Sequence, residues 1–176
     1  MKKRLILLSI VGFVLSGLLG VLLHFLYGLS GESRFVALFS AVNESTFEHM
    51  KILFFPLFLF SFIEKRFLGD SYRNFWCAKL CGILLGIFLI PVLFYTLGGI
   101  FGTLPAYVNI TIFFVADAVA YALSYYIMKK GLLPHCKADT ALLVLFMMAA
   151  IFAVWTFVPP RIPLFMDPVG GGFGVN

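Results

Sequence analysis

The chain has 176 residues, of which 62% are hydrophobic and only 12% charged, whereas a soluble globular domain is about half apolar and a quarter charged. That composition excludes an ordinary soluble domain, and the absence of strand-like alternation excludes a membrane barrel, so the expected fold class is an all-α polytopic bundle in a membrane. The net charge of +5 does not imply nucleic acid as a partner, because the basic residues are dispersed beside apolar runs; they read as topology signals for a lipid bilayer.

Lys2, Lys3 and Arg4 precede a first apolar run, residues 5–27. It begins like a signal peptide but is too long, has no clear cleavage site and is followed by further spans. A turn containing Glu32 and Arg34 leads to residues 35–42, far short of the roughly 20 needed to cross a bilayer, which predicts one short re-entrant or interfacial helix. The second span is read at 45–63, with Pro56 as a kink, and it ends on Glu64, Lys65 and Arg66. Its aromatic run, 54–62, is expected to face lipid. The third span covers 75–97 with Pro91 inside it, the fourth 107–128 and the fifth 140–158. Residues 1–158 thus form a transmembrane domain of about five helices, and 159–176 a Pro/Gly-rich irregular tail.

Counting Lys and Arg on alternate sides orients the chain. Lys2, Lys3, Arg4, Lys65, Arg66, Arg73, Lys79, Lys129, Lys130 and Lys137 fall on the side of the N-terminus, against Arg34, Lys51 and Arg161 on the other. Ten against three predicts a cytoplasmic N-terminus and an extracytoplasmic tail in the plasma membrane. Cys77, Cys81 and Cys136 then lie on the reducing side and are expected as free thiols, with Lys79 snorkelling to the head groups between the first two.

In this orientation the polar residues of the far side converge. His24 lies near the far end of the first span, Glu44, Glu48 and His49 at the start of the second, and Asp167 in the tail. Asp117 is about eleven residues into the fourth span, hence about 16 Å deep at roughly 1.5 Å per residue. A carboxylate at that depth must be protonated, paired or wet. Ser124, Tyr121 and Asn109 fall near its helix face, so the fourth span is expected to turn a polar stripe toward the bundle.

His24, His49, Glu44 and Glu48 are suitable ligands for a divalent metal such as zinc. Glu44, Glu48 and Asp117 are the candidate catalytic acids or bases, and Asn43, Glu44, Glu48, His49, Asp117 and Asp167 the candidate binding residues. The spacing Glu-x-x-x-Glu-His matches no diagnostic metal signature. Ser45-Thr46-Phe47-Glu48 also fits a helix capping box, and Glu48 with Lys51 an i,i+3 ion pair. From sequence alone a metal site, a metal-free binding or proton-relay site and plain structural pairing all stay open.

Val-Asn-Glu-Ser at 42–45, Phe47, Glu48-His49, Lys51 and Pro56, with Pro159-Pro160, Pro163-Leu164-Phe165, Asp167-Pro168 and Gly172-Phe173-Gly174, resemble a family of small bacterial multi-pass membrane proteins catalogued as a domain of unknown function. The likeness covers most of the chain. Where the family pattern has Trp at 47 and Tyr at 173 this chain has Phe, which removes a hydrogen-bond donor at each place. The resemblance implies a bacterial inner membrane and points to the same polar residues, without implying a reaction.

The expected site is therefore an outward pocket of His24, Glu44, Glu48 and His49, with Asp117 as its floor and Asp167 as its lid. The leading expectation is binding or permeation of a cation or small amine-bearing solute, in a homo-oligomer because five spans enclose little volume. The alternatives are a metal-dependent membrane hydrolase acting on a lipid head group, and a structural or partner-binding subunit.

Overall fold

A computed structural model describes residues 2–175; Met1 and Asn176, the outer bounds of the expected domain and tail, lie outside the described residues. The described residues form six α-helices and no strand: α1 (Lys2–Leu29), α2 (Arg34–Ala37), α3 (Thr46–Leu68), α4 (Phe75–Phe101), α5 (Ala106–Lys130) and α6 (Ala138–Phe157). Single 3-10 turns follow at Gly69–Ser71 and Pro163–Phe165. Every helix but the one-turn α2 is long and apolar enough to cross a membrane, the pattern of a multi-pass membrane protein.

The helices overrun the expected spans because nothing in an apolar environment satisfies a free helix end. α3 continues to Leu68, and α4 and α5 run until Gly102 and Gly131, whose φ values of +79° and +65° end them. Gly131 closes α5 in the left-handed conformation typical of a helix C-terminus. Pro56 and Pro91 both sit inside uninterrupted helices.

The chain runs back and forth, so the α3–α4 and α5–α6 connections share the end of the bundle where α1 begins. The α1–α3 connection, the α4–α5 loop and the tail share the far end. There Ser40 fastens the loop after α2 onto α1, its hydroxyl accepting from the Tyr27 amide at 3.0 Å and donating to the Leu23 carbonyl.

α3 is the central helix, with 72% of its apolar window buried against 22–33% in the other long helices. The expectation that residues 54–62 face lipid is corrected here. Phe54, Leu57, Phe58 and Phe60 are buried, with the Phe54 ring 5.1 Å from Phe152 of α6, and only Leu59 and Phe62 of that run are exposed. The run looked lipid-facing because it is apolar on every side, which is equally the signature of a helix enclosed by protein. The outer surface comes instead from α1, α4, α5 and α6.

Without a hydrophobic drive between helices in lipid, close backbone approach holds them together. Gly82 and Gly86 of α4 lie on Ala120 and Ala116 of α5, where any side chain at Gly82 would run into the Ala120 carbonyl and the Ser124 hydroxyl. α1 uses Gly12, Gly17 and Gly20 to admit the rings of Tyr121, Phe114 and Phe113.

Two further expectations are corrected at the N-terminal end. Lys79 does not snorkel: it is buried in an ion pair with Glu64 of α3, its ammonium 4.5 Å from the centre of the Tyr121 ring. The interior carboxylate is a nearer partner than the head groups. The thiols are not all free either. The loop before α6 folds over the start of α4, and Cys136 forms a disulfide with Cys77 (S–S 2.07 Å), leaving Cys81 as the free cysteine. A separation of 59 residues gives a sequence reader no sign of that pairing.

Candidate functional site

At the far end α1, α3 and α5 enclose a cavity of about 320 Å³, at the lower end of the size of small-ligand sites. Its wall is mainly aliphatic and aromatic, with His24 from α1, Glu44 from the turn before α3, His49 from the start of α3, and Asn109 from α5 as the polar members. Gly20 in this wall lets Phe113 of α5 pack closely on α1, since a Cβ there would collide with that ring. His49 and Ile52, three apart on α3, both line the cavity, as helical geometry requires of one face.

The turn before α3 presents Glu44. Asn43 Oδ1 accepts from the Ser45 amide at 2.9 Å and Ser45 Oγ from the Glu48 amide at 3.4 Å, so the chain turns sharply with Glu44 between the two caps. Glu44 Oε2 lies 3.5 Å from His24 Nε2 and 3.8 Å from His49 Nε2. The two imidazoles meet edge to face with centres 5.3 Å apart.

His49 Nδ1 is 2.9 Å from the Ser45 carbonyl, which can only accept, so Nδ1 carries the proton and, in the neutral ring, Nε2 is left as an acceptor. The Glu44 carboxylate and His49 Nε2 are thus two acceptors facing each other. His24 beside Glu44, and His49 after it, hold that carboxyl below the ordinary carboxylate range although partial burial pushes it the other way. Asn109 Oδ1, in the same cavity, is buried without a hydrogen-bond partner.

A family model described as "Family of unknown function (DUF6512)" matches residues 1–175. The chain belongs to that family. No curated protein and no solved structure matches it.

In this DUF6512 member the remaining residues expected at the pocket are elsewhere. Glu48 is turned away from the cavity toward α6: its carboxylate pairs with Lys51 at 2.5 Å, accepts from the Val42 amide at 3.1 Å and lies 3.4 Å from Thr156 Oγ1. One residue is a 100° step on a helix, so Glu48 and His49 cannot share a face. Asp117 is not a floor, for it does not line the cavity; both its oxygens lie 2.9 Å from the Ser16 hydroxyl, which donates to this carboxyl, and the Phe114 ring that does line the cavity packs beside them on Gly17.

Asp167 is not a lid. Its carboxylate accepts from the Val169 amide at 2.9 Å within the tail, which is pinned by the Met166–Phe173 bridge and by the Phe165 ring 4.4 Å from Phe47. Asn43 spends its amide on the tail as well, donating to the Gly174 carbonyl at 3.0 Å. The expected set thus divides: His24, Glu44 and His49 come together, whereas Asn43, Glu48, Asp117 and Asp167 serve other contacts. Ser16 and Thr156, the partners of the buried acids, were missed. A lone Lys or Asp inside an apolar run is the signal that such a hydroxyl must exist.

Proposed function

We propose that this protein binds a cation or a small amine-bearing solute at the far end of its helical bundle, in the cavity beside His24, Glu44 and His49. The observation that carries the reading is the pair of facing acceptors, Glu44 and His49 Nε2, at the edge of a largely apolar cavity. Two acceptors 3.8 Å apart repel unless a cation or a donor lies between them. The apolar wall would take the body of an amine, and Asn109 Oδ1 offers it a further acceptor. Among the described residues Glu44 is the only carboxylate lining the cavity, so a hydrolytic reading would lack the second acid it needs to activate water.

The charge distribution supports an N-terminus in the cytoplasm of a bacterial cell, with the cavity opening outward. Without the buried Lys79 and Lys51, ten less one leaves nine basic residues at the N-terminal end, and three less one leaves two, Arg34 and Arg161, at the far end. The Cys77–Cys136 bond lies on the cytoplasmic side in this reading, where disulfides are uncommon. Charge bias outweighs it, because Lys and Arg flanking short loops set orientation during insertion whereas a disulfide only reports two thiols within reach. The function is tested by thermal unfolding of detergent-solubilised protein with phenethylamine. Stabilisation is expected for the wild type and its loss for Glu44→Gln; equal behaviour of the two would refute the reading.

A further inference from the structure

Resting on that reading, we infer that the cation is a first-row divalent metal, zinc foremost, held by His24 Nε2, His49 Nε2 and Glu44 Oε2. Bonds of about 2.0–2.2 Å to zinc in a tetrahedron place neighbouring ligand atoms roughly 3.3–3.6 Å apart. The carboxylate oxygen lies 3.5 Å from one imidazole nitrogen and 3.8 Å from the other, and all three ligand atoms are within 4.8 Å of one another. The two sides of the triangle that meet at Glu44 are within tenths of an ångström of that spacing, and the third, between the imidazoles, would close by up to about an ångström around an ion.

The chemistry of His49 agrees with this spacing, whereas His24 Nδ1 is buried without a hydrogen-bond partner. A metal ligand must present a lone pair, and a ligating imidazole usually donates its other N–H to a carbonyl or carboxylate, which fixes its tautomer. His49 has that arrangement: Nδ1 is held by the Ser45 carbonyl at 2.9 Å and Nε2 faces Glu44. The carbonyl belongs to the turn that also presents Glu44, so one backbone segment positions two of the three ligands.

Among the described residues, no Lys or Arg lines the cavity. The other buried acids are each occupied, Glu48 by Lys51, Glu64 by Lys79 and Asp117 by Ser16, while Glu44 faces imidazoles. Two histidines and one glutamate fill three positions of a zinc site and leave a fourth open. The cavity borders that position, and Asn109 Oδ1 has no partner in it. The site would therefore expose the metal to a small ligand.

The test uses full-length protein in detergent, treated with chelator and then titrated with cobalt(II) chloride. One equivalent per chain should bind with the intense visible absorption of four-coordinate cobalt, which zinc chloride should displace. Glu44→Gln keeps the shape of a half-exposed side chain, and His24→Gln removes a ligand from a different helix. Each should weaken binding at least about 100-fold, since outer-sphere partners alone are worth 10–100-fold. His135→Ala, at an exposed histidine of the opposite end, should leave it unchanged.

Absence of the cobalt bands in the wild type, their persistence in either ligand variant, or their loss in His135→Ala would each overturn the metal assignment. If the bands were absent while phenethylamine still stabilised the wild type and not Glu44→Gln, the broader cation reading would stand without the metal. Absence of both effects would remove both.

Discussion

Lys51→Met is the substitution that best separates the cavity from the packed interior beside it. Lys51 is fully buried, and its ammonium has three donors facing three acceptors: Glu48 Oε2, the Ala37 carbonyl at 2.9 Å and Thr156 Oγ1 at 2.7 Å. Methionine keeps most of the volume and removes all three bonds, leaving a buried carboxylate without its countercharge. Breaking a buried pair from one side costs about 3–5 kcal/mol. At roughly 2–4 °C per kcal/mol for a chain of this size, a loss near 4 kcal/mol lowers Tm by about 8–16 °C. The double variant Glu48→Gln with Lys51→Met removes both charges and should cost less than Lys51→Met alone, because no lone charge is left in the interior. Circular dichroism melts in one detergent give all three Tm values. A Lys51→Met protein melting within about 2 °C of wild type, a shift worth under about 1 kcal/mol, would refute this account. So would a Glu48→Gln protein that melts normally yet binds phenethylamine or cobalt more weakly, for Glu48 would then act in the cavity.

Four other outcomes are expected. Gly82→Ala should destabilise by about 1–3 kcal/mol through overpacking, whereas Gly98→Ala, with nothing within 4 Å of the new methyl, should be tolerated; paired melts decide it. Gly174 has φ +66° and its Cβ would lie 2.6 Å from the Thr156 carbonyl, so Gly174→Ala should release the tail, seen as faster proteolytic trimming after residue 158 with the bundle intact. Maleimide labelling of denatured, unreduced protein should find one thiol, Cys81, and reduction should raise the count to three; three from the outset would contradict the Cys77–Cys136 bond. A phosphatase reporter fused after residue 176 should be active outside the cytoplasm, and an inactive fusion with an active cytoplasmic reporter would reverse the proposed orientation.

Much of the architecture could be read from hydropathy, because length and apolarity decide which segments can cross a bilayer and all five long helices fall on expected spans. Hydropathy does not say which helix is central. α3 carries the lowest value of the five because Glu48, His49 and Lys51 stand near its start, and Glu48, Lys51 and Glu64 are all buried inside the bundle. The candidate site was legible in part for a related reason. His24, Glu44 and His49 share a depth, which residue counting gives, but counting alone did not separate the faces of Glu48 and His49. Their neighbours on α3 could have done so: Lys51 falls with Glu48 and Ile52 with His49. Asp117 was correctly expected to face the bundle, yet its partner depended on which helix lay alongside, and a single sequence does not give that.

The central place of α3 bears on how the chain enters a membrane during synthesis. Glu64 leaves the ribosome before Lys79, and Lys51 before Thr156, so this helix is made ahead of the groups that neutralise or complete it. Alone in lipid it would carry acids and a base that hydrocarbon tolerates poorly. α3 and α4 should therefore partition together as a hairpin, with α3 sheltered beside α1 until α6 arrives to close around it.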